Sequence, residues 1–264
     1  MISASMVKDL REATGAGMLD CKKALEATNG NIDEAINWLR EQGISKAAKK
    51  QSRIASEGLA VAKTKGNKAI VVEVNSETDF VASNQEFKDL VNTIADTVLD
   101  SDATNMEEAM KLEVEGTTIE GLIVEKVSKI GEKLSFRRFE TITKNDDQVF
   151  GPYSHMGGKI VSLVVLEGND EELAKDISMQ VAAMNPTYLN KEEVPSEIVE
   201  KERTILTEAA EKEGLDSNKL PMIVSGRLNK FYEEVCLLDQ NFIKENKMKV
   251  SKYVESKNSK IISF

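Results

Sequence analysis

Side chains able to do chemistry are scarce in this chain. One histidine, His155, and two cysteines, Cys21 and Cys236, are its whole supply of imidazole and thiol in 264 residues. A general base needs a nucleophile within hydrogen-bond reach, and no serine or cysteine stands obviously beside His155, which follows Tyr153 at the end of a predicted strand. The other reading of His155 is a packed or hydrogen-bonded structural group. A lone histidine excludes a multi-histidine metal centre within one chain. Two distant cysteines fit neither a metal-site spacing nor a disulfide framework, so a reducing compartment is expected. Cys21 falls on the apolar stripe of its helix, where a buried thiol is expected in preference to a reactive one. Gly157-Gly158 reads as a hairpin turn, and the chain has no Gly-x-Gly-x-x-Gly and no phosphate loop. Glu73 and Asp79 could hold a cation, although carboxylates on such surfaces usually face solvent.

The stretch Thr78-Asp79-Phe80-Val81 is of another kind. One reading makes Phe80 and Val81 a hydrophobic staple into the following helix, with Asp79 solvated. The other makes Phe80 an exposed aromatic wedge beside an acid, the kind of side chain that fills a pocket on a protein partner.

The elements that must position these residues follow from periodicity. Ser3 or Ser5 can cap a first helix carrying Met6, Val7 and Leu10, which ends at Thr14-Gly15-Ala16-Gly17. A second helix places Met18, Cys21, Ala24 and Leu25 on one face. A third, capped by Asn31 or Asp33, turns Ala35, Ile36 and Leu39 inward and is expected to stop before Gly43. The basic, polar run 45–56 is a linker or an exposed helix. Residues 59–64 and 69–75 then form a β-hairpin. A helix with a capping box from Ser83 to Glu86 and a stripe at Phe87, Leu90, Val91, Ile94 and Val98 follows it.

The same unit recurs. Residues 149–155 and 159–167 flank Met156-Gly157-Gly158 and lead into a helix with Leu173, Ile177, Val181 and Met184, which indicates an internal duplication. The second copy enters its helix almost directly through Gly168-Asn169. The first inserts residues 76–82, and a loop added to one of two similar units is where function is expected. Between the copies lie a helix near 121–129 and a strand, 133–142. Two helices, 195–213 and 221–234, follow as antiparallel neighbours, with Ile198, Ile205 and Leu206 facing Ile223, Val224, Leu228 and Phe231. That arm either folds onto its own sheet or meets another chain. A short loop and helix close the chain.

Composition agrees with a folded chain: 41% of residues are hydrophobic and 30% charged, with a net charge of −10. That sign argues against a protein that neutralises nucleic-acid phosphates or an anionic membrane. Residues 1–55 carry nine basic and seven acidic side chains, the rest 26 and 38, so the small helical module stands apart electrostatically. Lys8 and Asp9 interrupt what a signal peptide would keep apolar, and no apolar run reaches the roughly 18 residues of a membrane span. A cytoplasmic chain is expected, in three parts: 1–55, 56–143 and 144–264, the last including the helical hairpin of about 195–234 and the segment 237–264.

Two stretches carry a family resemblance. Leu10-Arg11-Glu12-Ala13-Thr14-Gly15-Ala16-Gly17-Met18-Leu19-Asp20-Cys21-Lys22-Lys23-Ala24-Leu25 and Glu73-Val74-Asn75-Ser76-Glu77-Thr78-Asp79-Phe80-Val81-Ala82 resemble the two signatures of the translation elongation factor Ts family. The likeness continues through Gly151-Pro152-Tyr153-Ser154-His155-Met156-Gly157-Gly158-Lys159 and Leu237-Leu238-Asp239-Gln240, in order along essentially the whole chain. Ser83 and Asn241 depart from the family pattern. The resemblance implies an α+β fold: a ubiquitin-associated-like module of three helices, then a duplicated hairpin-plus-helix α/β core with a helical-hairpin insertion. It implies a guanine nucleotide exchange factor, without a cofactor or a chemical active site, that binds elongation factor Tu in its GDP-bound and nucleotide-free forms. Thr78, Asp79, Phe80 and Val81 match the loop that dislodges Mg²⁺, and His155, Gly157, Gly158, Met18, Leu19 and Asp239 match further partner contacts. A homodimer through the helical hairpin stays open. The runner-up is a non-catalytic adaptor that binds proteins through the three-helix module.

Overall fold

The computed structural model describes residues 2–216 and 218–264. Contacts group the chain into two units, one running to Ile142 and including Met156–Ile160, the other formed by Thr143–His155 and Val161–Phe264.

The first unit begins with α1 (Ala4–Thr14), α2 (Met18–Ala27) and α3 (Ile32–Lys50). Ser3 caps α1 by accepting the Met6 N–H at 3.2 Å, and Asn31 caps α3 by accepting that of Glu34. Val7, Leu10, Cys21, Ala24, Leu25 and Ala35 close a small core against Trp38 and Leu39. Ile36, expected inside, is instead exposed. Gly43 does not end α3. It lies within the helix, buried, where a Cβ would meet the Ser128 side chain at 3.4 Å, so the glycine serves close packing and the helix runs on into the basic stretch.

Strands β1 (Glu57–Lys65) and β2 (Lys68–Ser76) pair antiparallel from Glu57↔Ser76 to Lys65↔Lys68. A one-turn helix, α4 (Asp79–Ser83), comes next, and α5 (Gln85–Leu99) follows it. The expected Ser83 cap is corrected: Ser83 ends α4, and Asn84 caps α5 by accepting the Glu86 N–H at 2.8 Å. Glu86 makes no capping box; its carboxylate pairs with Lys126 and Lys129. The stripe Phe87, Leu90, Val91, Ile94 and Val98 is buried against β1 and β2, as the 3.6-residue period requires.

Four further elements lead out of this layer: α6 (Met106–Met110), β3 (Glu113–Val114), β4 (Thr117–Thr118) and α7 (Ile119–Ile130). β5 (Ser135–Thr143) then completes a sheet of order β1-β2-β5.

The second unit repeats the plan. Strands β6 (Gln148–His155) and β7 (Ile160–Glu167) lead to α8 (Glu171–Met184), capped by Asp170. Leu173 and Ile177 are buried, and Met184 at the helix end is exposed. Helices α9 (Ser196–Lys212) and α10 (Leu220–Val235) form the arm. Its buried residues are Ala210, Val224 and Leu228, while Ile198 and Ile205 are exposed, so α9 is rotated relative to the expected face. Glu213 fixes the pairing through two hydrogen bonds from the Arg227 guanidinium, at 3.1 and 2.6 Å.

The closing segment holds β8 (Asn241–Phe242), β9 (Glu245–Lys249), α11 (Val250–Ser256) and β10 (Ile261–Ser263). β10 pairs antiparallel with β7, giving the order β6-β7-β10, the same plan as β1-β2-β5. Leu237, Phe242, Val250, Val254 and Ile261 thus share one core with Val164, Leu166, Leu173 and Ile177. Among the described residues no helix is long and apolar enough to cross a membrane.

Gly151 sets the distance between β6 and α8. A Cβ there would lie 2.3 Å from the carbonyl carbon and 2.4 Å from the carbonyl oxygen of Ala174, backbone atoms that cannot rotate aside. Gly151→Ala is expected to cost about 1–3 kcal/mol, read as a lower urea midpoint at an unchanged slope. An equal midpoint would show that the two elements tolerate a wider spacing.

Candidate partner-binding surface

The insertion between β2 and α5 is the α4 turn, and its side chains separate by depth. Ala82 is buried, Val81 packs partly buried against the core of the first unit, Asp79 is exposed, and Phe80 is 84% exposed. A staple would bury the ring; the structure leaves the ring in solvent and packs only Val81 inward. Thr78 caps the turn, its hydroxyl oxygen accepting the Val81 N–H at 3.3 Å. The Ser76 hydroxyl donates to the Thr78 carbonyl at 3.0 Å.

Beneath the turn lies a reciprocal exchange that the sequence did not signal. The Glu132 carboxylate, just after α7, accepts the N–H groups of Glu77 and Thr78 at 3.1 and 3.0 Å and the Thr78 hydroxyl at 2.7 Å. In return the Glu77 carboxylate accepts the Lys133 N–H at 2.6 Å and the Arg53 guanidinium at 3.2 Å. Lys133 Nζ donates to the carbonyls of Gln51 and Arg53, and Lys50 Nζ to that of Gly131. Glu132 and Thr78 lie far apart in sequence and on no common periodic face, so no local pattern reveals their pairing.

The remaining candidates occupy other surfaces. Met18 and Leu19, 46% and 75% exposed, stand on the first turn of α2. Gly157 and Gly158 both have positive φ in a 3-10 turn, and a Cβ on Gly158 would come 2.8 Å from the Ala60 carbonyl oxygen, so the turn is set by glycine. Lys159 beside it pairs with Glu57. Met156, in the same turn and 71% exposed, is an apolar surface residue that sequence reasoning passed over. His155 is exposed at the end of β6, stacked on Tyr153 with ring centroids 6.2 Å apart and its Nδ1 3.3 Å from the Tyr153 hydroxyl. Asp239 is half-buried and pairs with Lys191 at 3.0 Å, so much of its charge is already used inside the second unit.

The cysteines are packing groups. Cys21 and Cys236 are buried and free, and burial raises both thiols, that of Cys236 to about 11. Glu73 is occupied by Arg137 and Arg138 at 3.3 and 2.6 Å. Among the described residues no three His, Cys, Asp or Glu side chains gather as a metal site. An open cleft of about 660 Å³ lies between α3 and α7, lined by Trp38, Ile44, Thr118 and Lys129 among others, and neither His155 nor a cysteine lines it.

A three-helix module ahead of two copies of hairpin, helix and third strand defines a mixed α/β chain, one that displays its inserted aromatic instead of enclosing it. Residues 77–264 match the family model for Elongation factor TS, and residues 2–39 match the UBA/TS-N domain. The chain belongs to the elongation factor Ts family. That family comprises nucleotide exchange factors for elongation factor Tu in translation elongation; they are not catalysts with a chemical active site of their own.

The Glu77 carboxyl lies below its ordinary value, first because it accepts the Lys133 N–H, with desolvation opposing and the Arg53 guanidinium reinforcing. A depressed folded-state pKa contributes stability that is present above the unfolded value, about 4.3, and is lost as pH falls through the folded value. Glu77→Gln is therefore expected to melt below wild type at pH 7, with the gap closing as pH drops below about 4. Calorimetry across that range checks it; a gap that persists unchanged would show that the carboxylate charge does not hold the turn.

Proposed function

We propose that this chain binds elongation factor Tu in its GDP form, displaces Mg²⁺ from the partner's nucleotide site and promotes GDP release so that GTP can bind. The observation that carries the reading is Phe80, displayed at 84% exposure on a capped and clamped turn, in a chain whose family consists of exchange factors. A GTPase holds its nucleotide through Mg²⁺, a phosphate loop and base contacts. A factor that binds the nucleotide-free form better than the GDP form weakens GDP binding by the same ratio that GDP weakens its own. Phe80 is the wedge that shifts partner elements near the Mg²⁺, and Asp79 competes for local hydrogen bonds or charge. Val81 and Thr78 hold the wedge in place. His155, Gly157 and Gly158 form a second contact, and Met18 and Leu19 on α2 a third. Asp239, which pairs with Lys191, is a further partner contact. The expected setting is the cytoplasm, with no cofactor and no direct contact to nucleic acid.

Phe80→Ala is expected to slow stimulated release of fluorescent GDP at least tenfold, about 1.4 kcal/mol. Its melting temperature should barely move, because an exposed side chain contributes little to stability. Stopped-flow release at the wild-type rate would overturn the wedge. Binding of elongation factor Tu with no effect of the unmodified chain on GDP off-rates would favour the adaptor reading instead. His155→Ala is expected to raise the dissociation constant of the complex a few-fold; an unaltered constant would leave His155 a stacking partner of Tyr153 and nothing more.

A further inference from the structure

We propose that Glu132 is a positioning residue for exchange: its carboxylate fixes the backbone and hydroxyl of the turn from which Phe80 projects, so that the ring is presented in one orientation. This rests on the exchange reading above and names what makes the wedge rigid.

A helix of five residues has no stability of its own, since it spends its length on nucleation. Its first residues offer N–H groups that no helix carbonyl can take. Thr78, the N-cap, gives one such group, and it goes to Glu132 at 3.0 Å together with the N–H of the preceding Glu77 at 3.1 Å.

The third bond decides the orientation. A threonine hydroxyl has one proton and two lone pairs. Here the proton points to Glu132 at 2.7 Å, which turns a lone pair toward the Val81 N–H at 3.3 Å. The cap of α4 and the Glu132 contact therefore share one oxygen. Without the carboxylate the hydroxyl is free to rotate, and the cap loses its preferred setting together with two backbone anchors.

The carboxylate is itself held. Glu77 returns a bond to the Lys133 N–H, and Lys50 and Lys133 tie residues 131–133 to the chain leaving α3. Ala82 of the turn and Leu134 beyond Glu132 belong to the same buried core as Phe87, Leu90 and Ile94, and that apolar packing does not use the Glu132 carboxylate, so loss of Glu132 loosens the turn without dissolving the fold.

The test uses the full-length chain with Glu132→Ala and Glu132→Gln. In stopped-flow release of fluorescent GDP from elongation factor Tu, Glu132→Ala should lower the maximal stimulated rate about tenfold, while the half-saturating concentration stays within twofold of wild type. Glu132→Gln keeps a carbonyl oxygen for the two N–H groups but puts an NH2 where the Thr78 proton is accepted, and should give a rate between those of Glu132→Ala and wild type. Glu132→Ala combined with Phe80→Ala should be no slower than Phe80→Ala alone, because one variant removes what the other positions. In the isolated chain, amide exchange at Glu77 and Thr78 should accelerate at least tenfold in Glu132→Ala.

A maximal rate within twofold of wild type overturns the proposal, as does a loss confined to the half-saturating concentration or one that disappears on cooling below the variant's melting transition. Unchanged amide exchange overturns the clamp itself. A wild-type chain that fails to accelerate release overturns the exchange reading and with it the role of Glu132, while amide exchange still reads the clamp independently.

Discussion

Phe80 is kept in water by a helix too short to stand alone, and its display depends on what holds that turn. An aromatic ring next to an apolar core gains about 2 kcal/mol or more by folding into it. Display therefore requires a backbone that prevents the collapse. Ala82 and Val81 pin one side of the turn into the core, Thr78 caps it, and the Glu77–Glu132 exchange fixes the approach from β2. Each hydrogen bond to a charged group is worth roughly 1.5–3 kcal/mol, so two or three of them suffice to outweigh the burial of one ring.

The duplication explains why this turn exists in one half only. Both units lay a helix on a hairpin and close the sheet with a third strand, β5 in one and β10 in the other. In the second unit β7 ends at Glu167 and α8 begins at Glu171, with Asp170 as the cap, so no chain is left over to display. In the first, residues 77–84 connect β2 to α5 and include the α4 turn, and a second helix start at Asn84 lets α5 pack in its regular place regardless. The inserted turn can thus change without disturbing the α5 stripe, which separates the display element from the folding element.

Legibility followed the range of the forces. The stripe of α5, the hairpin β1–β2, the caps at Ser3 and Asn31 and the buried Cys21 were readable because each depends on neighbours within a few residues. Gly43 and Ser83 misled for a common reason: each has the right residue type for a helix boundary, and tertiary contacts, Ser128 for one and the α4 turn for the other, decided otherwise. Ile198 and Ile205 misled because the helix arm buries so few residues, Ala210 alone on α9, that its apolar side chains do not all face inward. β10 is three residues long and exists because β7 offers an open edge. Of the candidate site, the displayed Phe80 was one of two readings open in the sequence; Glu132, paired with Thr78 across 54 positions, gave no sign at all.

Rigidity of the turn has a thermodynamic consequence for any partner. Ordering a residue's backbone costs about 1–2 kcal/mol, so a flexible loop of five residues would give up on the order of 5–10 kcal/mol on meeting its target. That sum is several times the 1.4 kcal/mol of a tenfold change in rate. A turn already ordered by Thr78, Glu77 and Glu132 pays this during folding, so under the exchange proposed above more of the contact energy of Phe80 would remain to bias a partner between its nucleotide-bound and nucleotide-free forms. The poverty of the chain in histidine and cysteine is consistent with that division of labour. The group displayed on the turn is an apolar ring, and the polar groups that hold the turn sit behind it.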